Sequence, residues 1–256
     1  MKTTRTARAT KLLAPAFALI ALLGSATTGR AGLAVRFTED PPSLGGTNGS
    51  TVIIVDNSPL DANPLTGIMS VTTTVGTFGI SGLDFSSNSA TAIADNQAKL
   101  TITGGALFPS VAGHVLEIAI SDDTFNLPPA GNYVMKGSAG DTAEGATDAD
   151  THAFHSFADT SSAQFSTANP SAGLLFTLGD FVANSSNDTP VNFSGGPTFS
   201  LTNINDYSSV SGTGLLNING STIVETQAVP EPATVLSLGL AAPALLLIAR
   251  RRRRAR

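Results

Sequence analysis

Met69, Val71, Thr73 and Val75 recur at every second position, and Leu100 and Ile102 alternate with Thr101 and Thr103 in the same way. A two-residue period sends successive side chains to opposite faces of an extended strand, so these stretches predict half-buried β-strands. The same pattern predicts strands over Leu33–Thr38, Thr51–Asp56, Gly67–Val75, Ala98–Thr103, Val115–Ser121, Asn132–Lys136, Leu174–Leu178, Thr198–Thr202, Leu215–Asn217 and Thr222–Thr226. Between them stand Gly, Pro, Asn, Asp and Ser, the residues that turns require. Asn219-Gly220 lies between two apolar runs and predicts a type I′ hairpin. No stretch of the middle of the chain sustains a helical period, and no solenoid repeat is visible. The expectation is an all-β fold, an antiparallel β-sandwich of jelly-roll-like kind. One segment breaks the pattern. Gly137–Pro170 is rich in Ala, Ser, Thr and acid, without Lys or Arg, and reads as an acidic loop or insertion over the sandwich. Its Phe154, Phe157 and Phe165 offer apolar surface to bury.

The two ends follow other rules. In residues 1–31, Lys2, Arg5, Arg8 and Lys11 precede the twelve-residue apolar run Leu12–Leu23, and Gly29-Arg30-Ala31 has the small-x-small form of a cleavage site. That order predicts a secretory signal peptide. At the other end, Val229, Pro230, Glu231 and Pro232 lead into the uncharged run Ala233–Ala249, which is followed at once by Arg250, Arg251, Arg252, Arg253 and Arg254. Two prolines hold Glu231 in an extended backbone. The apolar run is at the short end of what spans a bilayer as one helix, with Pro243 interrupting its hydrogen bonding. The arginines resist translocation and orient such a helix with its tail in the cytoplasm.

This C-terminal segment resembles the PEP-CTERM sorting signal, in which a Val-Pro-Glu-Pro box, a transmembrane helix and an Arg-rich tail are read by an exosortase-type membrane protease. The resemblance covers residues 229–256 only. It implies export, transient membrane anchoring through the C-terminal helix, and a cell-surface or extracellular destination linked to exopolysaccharide. The organisation expected is therefore a signal peptide (1–31), an exported domain (32–228) and a sorting signal (229–256).

Charge changes meaning once the ends are set apart. Residues 32–228 hold Arg36, Lys99 and Lys136 as their only bases against eighteen carboxylates, a formal charge of −15. Such a domain repels nucleic acid, which needs a basic footprint, and attracts cations. The chain has no cysteine, which excludes thiol catalysis, zinc–thiolate sites and disulfides.

Candidate chemistry is sparse. Asp141, Glu144, Asp148 and Asp150 supply oxygen ligands suited to calcium, but His152 and Ala153 stand where an EF-hand loop needs an Asp or Asn and a Gly. His152 and His155 read as surface residues of a polar loop, unless a helical turn set them on one face to hold a metal with Asp150. His114 reads as structural. No Gly-x-Ser-x-Gly elbow occurs. Glu117 projects from a strand whose buried set is Leu116, Ile118 and Ile120, which assigns Glu117 to the solvent face. A second carboxylate opposite it would make a glycosidase pair. There is no Trp and only Tyr133 and Tyr207, little aromatic surface for sugar processing. The expected role is structural or adhesive, without enzymatic turnover. A calcium-dependent glycan-binding module and a β-sandwich hydrolase are the alternatives.

Overall fold

The structure, a computed structural model, describes residues 32–46, 49–109, 111–127, 133–144, 150–168, 174–177, 182–191, 198–209 and 215–226. The expected signal peptide and the sorting segment 229–256 lie outside the described residues. Twelve strands are described: β1 (Ala34–Glu39), β2 (Thr51–Val55), β3 (Ile68–Val75), β4 (Phe78–Ser87), β5 (Gln97–Pro109), β6 (His114–Asn126), β7 (Tyr133–Glu144), β8 (Thr151–Asp159), β9 (Leu174–Thr177), β10 (Val182–Val191), β11 (Thr198–Ser209) and β12 (Leu215–Thr226). A 3-10 turn (Pro42–Leu44) and one short helical turn (Ala92–Asp95) complete them.

All strand pairings are antiparallel, in two six-stranded sheets. Sheet A runs β2-β1-β6-β11-β8-β9, and sheet B runs β10-β7-β12-β5-β4-β3. From β5 onward the chain crosses between sheets at nearly every step, with β12 between β5 and β7 and β11 between β6 and β8. That strand order is a jelly roll, flanked by β1–β2 on one sheet and β3–β4 on the other.

The interior is built from the alternating positions the sequence marked. Met69, Val71, Val75, Leu100, Ile102, Leu116, Ile118 and Ile120 all belong to one buried cluster. Phe37 of sheet A meets Phe85 of sheet B edge-on, with ring centroids 6.2 Å apart. Each such side chain contributes about 1.5–3 kcal/mol when fully buried.

Two expectations are corrected here. The predicted hairpin at Asn219-Gly220 is instead the middle of one continuous strand, β12, paired on both sides. A Cβ on Gly220 would stand 2.9 Å from Ile102 and 3.1 Å from Phe154, so glycine serves close sheet-to-sheet approach and no turn is made. The supposed acidic loop over 137–170 is also corrected, because β7 and β8 run through it. In β8 the buried positions are His152, Phe154, Ser156 and Ala158. Small and polar side chains occupy inward sites there, and that erased the apolar alternation.

Candidate functional site

The outer face of sheet A is more polar than its core face, yet much of it is covered. Thr38, Glu117, Ser121, Ser200 and Thr202 are all buried. The cover comes from residues 160–168, which follow β8 and fold back across the sheet. Asp159 pins this strap, accepting from Ser161 N at 2.8 Å, from Ser161 Oγ at 2.6 Å and from Ser166 Oγ. Those three bonds also hold the Asp159 carboxyl below its ordinary range. Farther along, Gln164 Nε2 donates to Gly32 O at 2.8 Å, Phe165 N donates to Ser121 Oγ at 3.0 Å, and the Arg36 guanidinium lies 4.9 Å from the centre of the Phe165 ring. Ser162 and Phe165 both take positive φ, 54° each, a strained setting for side-chain-bearing residues.

Between this strap and the 3-10 turn lies a pocket of about 330 Å³. Its floor holds Arg36 of β1, Glu117 of β6 and Asp206 of β11; His155 and Phe157 of β8 flank them. Register explains the grouping. Glu117 is directly opposite Asp206 in the β6–β11 ladder, so both carboxylates share one face at cross-strand distance. Like charges placed so repel, and Arg36 relieves half of the conflict: its Nη2 donates to Glu117 Oε1 at 2.8 Å. Asp206 gets no such help. Its Oδ1 is buried without a hydrogen-bond partner, and burial, reinforced by the Glu117 charge, pushes its carboxyl up to about 7. Asp206 thereby holds its proton toward neutrality, beside a Glu117 that is paired with Arg36. Burial also pushes the His155 imidazole down. The rings of His155 and Phe157 stack with centroids 6.3 Å apart.

Glu117 thus departs from expectation in one respect. It faces away from the Leu116, Ile118 and Ile120 set, as the alternation requires, but it is 7% exposed and not solvated. The strap and Arg36 cover it, and nothing in the local sequence records that cover.

Of the candidate calcium ligands, Asp141 and Asp150 are described with their side chains. Asp141 is 2% exposed in β7, with Oδ2 against His152 Nδ1, and Asp150 is also buried. Glu144 closes β7, while its side chain and Asp148 lie outside what is described. His152 is corrected from a surface residue to a fully buried one. It reaches Asp141 of the opposite sheet, approaches Asn205 Oδ1 at 3.2 Å through Nε2, and stacks on Tyr207 with centroids 4.3 Å apart. His152 and His155 are on opposite faces of β8, because an odd separation reverses direction on a strand. Burial and the charges of Asp141 and Asp206 push the Tyr207 hydroxyl well up.

No family model matches this chain, and no curated protein matches it. Three solved structures are similar in part. TmCBM61, solved in complex with β-1,4-galactotriose, is 8% identical with TM-score 0.30, over 55% of this chain and 86% of that one. The enzymatically active domain of bacteriophage CBA120 tailspike protein 4 is 15% identical with TM-score 0.32, over 59% and 19%. An Arthrobacter globiformis T6 isomalto-dextranase complexed with panose is 12% identical with TM-score 0.25, over 75% and 30%. Likeness at these TM-scores says nothing about function.

A second cluster lies where β1 ends and β6 begins. Among the described residues, Glu39, Asp40 and His114 form the one group able to hold a metal ion, with ligand atoms within 4.8 Å of one another. The sequence separates His114 from the two acids by more than seventy positions, so only the β1–β6 pairing assembles it.

Proposed function

We propose that the chain is an exported surface protein that adheres to polysaccharide through the strapped pocket on sheet A. The pocket carries this reading: a sugar presents apolar C–H faces and hydroxyls together, and the pocket is lined by the rings of His155 and Phe157 as well as the polar groups of Arg36, Glu117 and Asp206. Replacing Phe157 by Ala removes a half-buried ring without touching the core. It should weaken binding of the full chain to its host's exopolysaccharide about tenfold, the equivalent of one ring contact. Retention assays on immobilised polysaccharide, with and without chelator, read the change. Undiminished binding by the variant sinks the pocket as the adhesive site. Loss on chelation supports the metal-dependent alternative.

The Glu117–Asp206 pair favours a second reading, a β-sandwich hydrolase in which Asp206 donates a proton and Glu117 is the second carboxyl of the pair. Release of reducing ends from the same polysaccharide, abolished in Asp206→Asn, is its signature.

Delivery rests on the resemblance of residues 229–256 to the PEP-CTERM signal. In this reading an exosortase-type protease cuts near Val229–Pro232, which the prolines keep extended and unpaired. Intact mass of the mature protein from its native host should then lack Arg250–Arg254. A mass that runs through Arg256 identifies a plain membrane anchor.

A further inference from the structure

We propose that Glu39, Asp40 and His114 bind one first-row divalent cation of the zinc type. The corner is built for charge that no other residue supplies. Glu39 is 6% exposed, and Asp40 follows it directly with φ at 47°, a left-handed turn that brings both carboxylates to one side. Of the three bases in residues 32–228, Arg36 is paired with Glu117, Lys136 with Glu225, and Lys99 lines a groove on the outer face of sheet B. Two adjacent carboxylates are left facing a single imidazole.

Each acid is oriented by hydrogen bonds, Asp40 through the oxygen not turned to His114 and Glu39 through Oε1, the oxygen 3.6 Å from the imidazole. Thr77 N donates to Glu39 Oε1 at 2.8 Å, joined by Thr77 Oγ1, and Val115 N donates to Asp40 Oδ1 at 3.0 Å. Such outer bonds orient ligands in metal sites. Glu39 Oε2 accepts no hydrogen bond among the described residues; it abuts Gly76, where a Cβ would be 1.6 Å from it. His114 Nδ1 lies 2.7 Å from Asp40 Oδ2 and 3.6 Å from Glu39 Oε1. Two ligands about 2.1 Å from a tetrahedral ion stand about 3.4 Å apart, so small side-chain rotations admit the metal in place of a ring proton. A set of one imidazole nitrogen and carboxylate oxygens suits zinc, manganese or cobalt, whereas calcium takes oxygen alone. Asp40 also leads into the 3-10 turn whose Ser43 and Leu44 wall the sheet-A pocket, so an ion here would fix that wall.

The test is zinc titration of the chelator-stripped full chain, read as bound metal per chain after dialysis and as a shift in melting temperature; neither readout depends on the polysaccharide reading. One equivalent is expected, with calcium at least about tenfold weaker. His114→Gln should weaken zinc about a hundredfold or more while the metal-free melting temperature stays near wild type. The exposed Asp84→Asn in β4 should leave the zinc equivalent unchanged. Retention of the zinc equivalent in His114→Gln overturns the site. Equal shifts with calcium and zinc, erased by salt, overturn it as well and leave only diffuse screening of a chain this acidic.

Discussion

His152→Ala is expected to cost about 3–5 kcal/mol of folding stability, a large share of the 5–15 kcal/mol that holds a typical domain together. His152 is 0% exposed and Asp141 2%, and their contact spans the two sheets: His152 belongs to β8 in sheet A, Asp141 to β7 in sheet B. Removing the imidazole strands a carboxylate inside the sandwich. Asp141 Oδ1 is already buried without a partner, so loss of the imidazole leaves the carboxyl with still fewer hydrogen bonds. The cut also removes the ring stacked on Tyr207 and leaves a void beside it. Urea denaturation of the full chain reads the effect as a fall in midpoint at unchanged slope. The companion His152→Phe, Asp141→Leu double variant fills the space with apolar groups and should recover most of the loss, because replacing both partners of a buried hydrogen bond leaves no polar group stranded. A single alanine variant within 1 kcal/mol of wild type rejects the strut.

The second large effect concerns Asp206. Its folded-state carboxyl is raised to about 7 from the ordinary 3.8. Below the unfolded value both states hold the proton, and Asp206 costs nothing. As pH rises from about 4 to about 7 the unfolded chain releases its proton while the folded chain keeps it, so stability falls through that window and then levels off. The full shift corresponds to about 4 kcal/mol, and about 2 kcal/mol is the expected loss once solvent screening near the pocket mouth is allowed for. Asp206→Asn keeps the shape without the charge. It should match wild type near pH 4 and exceed it above pH 7. The opposing contribution of Asp159, whose folded-state carboxyl is lowered, is lost only as pH falls below the ordinary carboxylate value, so the two windows separate. Parallel stability curves for wild type and Asp206→Asn across pH 4–8 exclude a raised Asp206 carboxyl in the folded chain.

The sequence by itself determined the all-β class, the core faces of β3, β5 and β6, and the chemistry of a domain with three bases and eighteen carboxylates. These were legible because a strand with one apolar face writes its burial into a two-residue period, and because charge and missing cysteine need no partner to be counted. The sequence also named His114, Asp141, His152 and Glu117, but not with the partners that the fold gives them. β8 and the part of β7 beyond Lys136 were hidden because their inward positions include Asp141, His152 and Ser156, polar groups whose partners come from other strands. Gly220 was misread because a glycine that allows two sheets to touch looks, locally, like a glycine that allows a turn. Only the tertiary structure decided that Glu117 faces Asp206, that residues 160–168 roof them, and that Glu39 and Asp40 meet His114. Each of those meetings is set by strand register between distant segments, and register is fixed by the packing of both sheets together, a property that no single strand's pattern contains.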